Sequence, residues 1–161
     1  MTKINTVTKS RKPLTCRACH TDLPVGSSYT WVAHFRQPKM IHCTNCGWKQ
    51  SELHGSPLQT QAWEAIEAVV SNLRDWDGDD FAAVVSWAQD CEDALREVAE
   101  EYEAACEAFE NGAPDQLTEL YDACDDAANN CDISEHEPEG GASIDDIREA
   151  LISHFEDLLD Y

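Results

Sequence analysis

The sequence predicts a small β-hairpin module held by cysteines, followed by an all-α antiparallel coiled coil or helical bundle. Three observations carry that expectation. Two Cys-x-x-Cys pairs, Cys16/Cys19 and Cys43/Cys46, lie in the N-terminal third. Between them Tyr29, Trp31, Ala33 and Phe35 alternate with Thr30, Val32 and His34, the period of a strand. Beyond Gly78, apolar residues step by three and four over about four heptads, the repeat of packed helices.

Residues 1–13 are basic and read as a flexible tail, and residues 14–50 form the cysteine module. Within it Arg36-Gln37-Pro38 interrupts the alternation and Lys39–His42 resumes an extended run, so a short hairpin ending at Cys43 is expected. The cysteines read C-x2-C-x23-C-x2-C. Each pair forms a tight knuckle that directs two thiolates at one ion, and two knuckles complete a tetrahedral shell that zinc accepts without strain. The gap exceeds the roughly 15–20 residues of the common pattern, and the hairpin occupies it. One structural Zn2+ on Cys16, Cys19, Cys43 and Cys46 is expected, in a zinc-ribbon-like module; an iron–sulfur cluster or rubredoxin-like iron is the alternative. His20 and His42 each abut a cysteine, as alternate ligands or as neighbours of the site. Four thiolates already close the shell, which leaves no position for a substrate water. A module this short has little core of its own, so the ion is expected to hold it together.

The helical region is expected over 56–161. Ser56-Pro57 supplies an N-cap oxygen and a first-turn proline, and Leu58, Ala62, Ile66, Val69 and Leu73 follow at helical spacing, for a helix over about 57–76. The second helix, about 79–111, carries Phe81, Val84, Ala88, Cys91, Leu95, Val98, Tyr102, Ala105 and Phe109 on one seam free of acids. Asn111-Gly112 closes it and Pro114 opens a third, about 114–131, with Leu117, Leu120, Cys124, Ala127 and Cys131 in phase. The short link makes these two antiparallel. Residues 132–142 read as a loop. A capping-box-like Ser143–Asp146 starts a last helix over 143–160, with Ile144, Ile147, Leu151, His154 or Phe155, and Leu158 inward.

Charge is segregated. The chain has 161 residues and a formal net charge of -21, yet residues 1–50 hold eight Lys/Arg against the single acid Asp22. The remaining residues hold three Lys/Arg against 31 acids. The head can approach phosphates while the body repels them. No apolar run nears the roughly 18 residues of a membrane span, and no apolar stretch follows the basic N-terminus as in a secretory signal. A cytoplasmic protein without membrane contact is expected.

Cys91, Cys106, Cys124 and Cys131 read as small core residues, with a second metal or a redox pair as the alternative. The acids of the second helix read as a solvated face, a mark of a salty habitat, or a functional acidic surface; Arg96 is their one basic neighbour on that helix, so few i,i+4 pairs offset their repulsion. Arg17, Arg36 and Lys39, interleaved with Tyr29, Trp31 and Phe35, are placed to touch nucleic acid, although the aromatics also fit a mini-core of the hairpin. There is no nucleophile–base–acid set, no phosphate-cradling glycine loop and no HExxH, and His136 stands among Glu135 and Glu137 in the loop. The chain is therefore expected not to be an enzyme.

The order Cys16, Cys19, Gly26, Tyr29, His42, Cys43, Ser56, Pro57 and Val98-Ala-Glu-Glu-Tyr102 resembles a group of small uncharacterised zinc-ribbon/coiled-coil proteins of tailed phages and prophages. The resemblance covers about residues 11–112. It implies a viral or prophage origin and an accessory role, and carries no biochemical function with it.

The expected function is thus a non-enzymatic, zinc-binding interaction adaptor. Its acidic helices would meet a basic surface on a protein partner, such as a host protein, through Glu97, Glu100 and Glu101, or associate with a second copy. The alternatives are an acidic, nucleic-acid-mimicking inhibitor of a host protein, and a zinc-finger regulator whose basic head binds nucleic acid weakly.

Overall fold

The computed structural model describes residues 2–110, 112–133 and 143–159. The chain divides into two compact units, Met1–Thr60 and Gln61–Tyr161.

The first unit is built on two small antiparallel sheets. Strands β1 (Asn5–Val7), β4 (Tyr29–Val32) and β5 (Met40–Cys43) form one in the order β1-β4-β5; β2 (Leu14–Thr15) and β3 (Asp22–Leu23) form the other. The expected hairpin is β4–β5, with Trp31 opposite Ile41 and Tyr29 opposite Cys43. The segment read as a flexible tail is instead part of the sheet. Asn5 and Val7 pair with Trp31 and Tyr29, which satisfies the outer edge of β4. Ser10 is buried, its N–H donating to the Ser27 carbonyl and its hydroxyl to the Pro24 carbonyl. Gly26, at a φ of 94°, donates its N–H to both Ser10 oxygens. Neither β1 nor the Ser10 anchor had an apolar alternation to betray it. A single helical turn, α1 (Gln50–Leu53), follows the sheet, and the Glu52 carboxylate accepts the Lys49 N–H at 3.2 Å. One turn is too short to show periodicity in sequence.

The long helices are α2 (Pro57–Asp75), α3 (Phe81–Glu107), α4 (Asp115–Asn129) and α5 (Ile144–Glu156). Each starts or stops one to four residues inside its expected bounds. The largest differences, of four residues, are at the C-terminal ends of α3 and α5, and both ends of α3 have a backbone cause. At its start, Asp80 takes a left-handed φ of 53° and the Trp76 indole donates to the Asp79 carbonyl, so no helix forms before Phe81. At its end, Phe109 and Gly112 donate to Cys106 and Phe109 carbonyls in successive turns, so the connection is longer than expected and Pro114 sits at the N-cap of α4. Most of the loop expected over 132–142, His136 included, lies outside the described residues.

Helices α3 and α4 pack together, and their pairings descend on one as they rise on the other. Cys91 meets Cys131, Arg96 donates to Asn129 and Glu103 faces Tyr121, so the two are antiparallel. Val84, Ala88, Cys91, Leu95, Val98 and Tyr102 of the expected seam are buried. Phe81 and Ala105 are half-buried, and Phe109 is 47% exposed because it lies past the end of the helix. In α4, Cys124, Ala127 and Ala128 are buried, as is Cys131 just beyond it, while Leu117 and Leu120 are half-buried. The core thus runs along α3 from Val84 to Tyr102 and thins out over its last turn.

Helix α5 begins as its sequence suggests, with the Ser143 hydroxyl accepting the Asp146 N–H at 3.1 Å. Leu151 and Phe155 are fully buried; His154, the other candidate for that position, approaches the Asn130 carbonyl at 2.9 Å. Arg148 donates to the Trp76 carbonyl at 2.6 Å. Gly78 has a φ of +92°, and the Ile144 side chain comes within 2.5 Å of where a Cβ would stand, so both conformation and space demand glycine there. No helix among the described residues is long and apolar enough to cross a membrane.

Candidate metal centre

Sheet geometry brings the two cysteine pairs together. Cys16–Cys19 form the turn between β2 and β3, whose strands are clasped by the Thr15–Asp22 pair. The Cys16 N–H donates to Thr21, and the His20 N–H to Cys16, both at 3.0 Å. His20 itself takes a left-handed φ of 56°, which reverses the chain after the second thiol. The other knuckle leaves the end of β5, with the Cys46 N–H donating to Cys43 at 3.2 Å. Two bonds lock knuckle to knuckle: Arg17 N–H to the Ile41 carbonyl at 2.8 Å, and Cys43 N–H to Cys16 Sγ at 3.2 Å.

The four sulfurs all lie within 4.8 Å of one another. Cys19 and Cys43 are 3.8 Å apart, and Cys43 and Cys46 3.4 Å. Four sulfurs at tetrahedral corners, each about 2.3 Å from a zinc ion, stand about 3.8 Å apart. The donor set therefore fits such an ion. All four thiols are free, Cys16 fully buried, Cys19 exposed and the other two half-buried.

Their electrostatics point the same way. Burial pushes the Cys16 thiol up, but the N–H groups of Cys19, Cys43 and Ala18 outweigh it and the net shift is downward. Hydrogen bonds from the Thr21 hydroxyl and backbone bring Cys19 down to about 6. Cys46 is pushed up to about 12, chiefly by the thiols of Cys43 and Cys19. Four sulfurs this close cannot all ionise alone. A divalent cation among them removes that conflict, and its binding expels the remaining protons.

His42 is fully buried and is not among the clustered ligands. Its Nδ1 lies 3.0 Å from the Gly47 carbonyl, directly after Cys46, and its ring stacks on Trp48 with centroids 4.0 Å apart. Nε2 approaches Glu52 Oε1 at 3.2 Å, an electrostatic contact with poor alignment for a hydrogen bond. His42 thus braces the second knuckle. The one sequence signal for this was its place on β5, in register with Thr30, which accepts the Trp48 indole N–H at 3.0 Å. His20 is exposed and serves the turn.

The scattered cysteines form no comparable group among the described residues. Cys91, Cys124 and Cys131 are buried in the α3–α4 core, and Cys106 is half-buried. Glu97, Glu100 and Glu101 are exposed on α3, Glu97 accepting a 3.5 Å contact from Gln61. Phe35, a candidate for the hairpin mini-core, is instead 86% exposed, while Tyr29 and Trp31 are half-buried.

Fold and site define a chain of small antiparallel sheets that present a four-cysteine cluster able to hold a metal ion, joined to acidic helices. Comparison with protein-family models, with curated proteins and with solved structures finds no match to this chain.

Proposed function

We propose that this is a non-enzymatic zinc-binding adaptor, with one structural zinc ion in the first unit and acidic helices that receive a protein partner with a basic surface. The observation that carries the zinc reading is the cluster of four free thiols within 4.8 Å. A shell of four thiolates is closed to substrate, which favours a structural ion over a catalytic one. The phage or prophage origin and accessory role implied by the resemblance fit this reading.

The partner reading rests on charge. Exposed acids of α3 have few cations to offset them, and of the three arginines beyond residue 50, Arg96 is already engaged by Glu92 at 2.8 Å. Such a surface steers and selects a basic partner. A cavity of about 370 Å³ between α3 and the end of α4 is lined by Val85, Ala88 and Ile133 together with Gln89, Glu92 and Asp132. That combination suits a basic amphipathic segment.

Elemental analysis of natively purified protein should find one zinc per chain, lost on Cys16→Ser or Cys43→Ser; metal-free native protein would end the zinc reading. Affinity capture from host lysate at low and high salt tests the rest. The partner should be basic, be released by salt and be lost on replacing Glu97, Glu100 and Glu101 together. A partner indifferent to salt and to those acids would leave the adaptor role without its acidic surface.

A further inference from the structure

The first unit carries a surface of a different kind. The register of β4 sets Trp31 between Asn5 and Ile41, and Tyr29 between Val7 and Cys43, so these six residues share one face of the sheet. The opposite face is closed by the stack of Trp48 on His42. At the outer end of the open face, Lys39 Nζ sits 3.6 Å from the centre of the Trp31 ring. Beyond the strand end, at the hairpin tip, the Arg36 guanidinium lies 5.0 Å from the centre of the Phe35 ring, and Phe35 is 86% exposed. Packing gives no account of that exposure. Two aromatic rings, each with its own cation, therefore line one hairpin, in a stretch of 50 residues with eight Lys/Arg and one acid.

The geometry points to a binding surface for single-stranded nucleic acid along Tyr29, Trp31 and the Phe35–Arg36 tip. Aromatic rings stack on unpaired bases while neighbouring cations meet the phosphates. A duplex hides its base faces and has no use for Phe35. An acidic protein segment would use the cations and leave the rings in water. This role is independent of the acidic-surface adaptor reading, since it uses the other end of the charge distribution.

The test uses the full chain, zinc-loaded, and fluorescence anisotropy of a labelled thymidine homopolymer of about 20 nucleotides at about 0.05 M salt. Phe35→Ala should weaken binding by about five-fold or more, the loss of one stacked base. Arg36→Gln and Lys39→Gln should each lower the slope of log affinity against log salt by about 0.7. Phe35 and Arg36 are exposed, so both variants should keep the parent's zinc content and circular dichroism. The proposal falls if the homopolymer does not bind, or if Phe35→Ala binds as the parent does. It falls also if a duplex of the same length binds with equal affinity and no dependence on Phe35. A polyglutamate peptide that needed Phe35 as much as the homopolymer does would reassign the surface to an acidic protein.

Discussion

His42 braces one half of the four-cysteine cluster without being one of the clustered residues. Its Nδ1 reaches the Gly47 carbonyl and its ring lies flat on Trp48, and these contacts brace the second knuckle. Removing a group that orients ligands typically costs 10–100-fold in metal affinity. His42→Ala should therefore release zinc to a competing chelator at least about ten-fold more readily while leaving all four thiols in place. Competition titration with a chromophoric chelator measures this, and parental zinc affinity in the variant would show the brace to be idle. Cys91 gives a second prediction at this scale. A hydrogen bond with the Cys131 thiol, then burial, pushes its pKa up from the usual 9.0. In the unfolded chain the same thiol ionises near pH 9 while the folded one stays neutral. Stability held at neutral pH should then fall as pH rises past about 9, by up to about 1.4 kcal/mol per pH unit for this group. Urea titrations at pH 7 to 10.5 should show that limb, and Cys91→Ala should flatten it; an unchanged limb in the variant would assign the loss to other groups.

At the scale of elements, the α3–α4 pair shows helices legible in the sequence and then trimmed by geometry. Leu95 is fully buried in the middle of that seam. Leu95→Asp would set an unpaired charge there and should cost about 3–5 kcal/mol, with loss of helical circular dichroism at lower temperature. Equal heat stability would mean that the seam is not the core. The seam was legible because burial of one helical stripe repeats every three or four residues. Its ends were not, because they depend on single backbone events. Asp80 turns left-handed, and Phe109 falls beyond the last helical turn. The metal knuckles were legible for a related reason, as ligand chemistry is confined to a few adjacent residues. β1 was not: Thr6 and Val7 are β-branched, but three residues are too few to show a period, and the strand pairs only with the edge that β4 offers. Phe35 misled because alternation tells which face a residue is on, not where the strand stops; β4 ends at Val32.

For the whole molecule, an ion held by the four cysteines would stabilise the folded first unit alone, since the unfolded chain has no preformed site. The segregation of charge gives this a practical reading, since trypsin cuts after lysine and arginine. Beyond Lys49 the chain offers it only Arg74, Arg96 and Arg148, each on a helix and each engaged by a neighbour: Glu156, Glu92, and Asp145 with the Trp76 carbonyl. Most sites of attack therefore lie in the part that a bound metal would hold folded. Chelated protein should be trimmed rapidly from its N-terminal end to a fragment starting at Gln50, while zinc-loaded protein survives the same digestion. Mass spectrometry of the two digests resolves this, and equal cleavage with and without chelator would mean that the sheets stand without the ion. A trypsin-like protease thus becomes a sensor of metal occupancy, and the acidic helices are what it leaves behind.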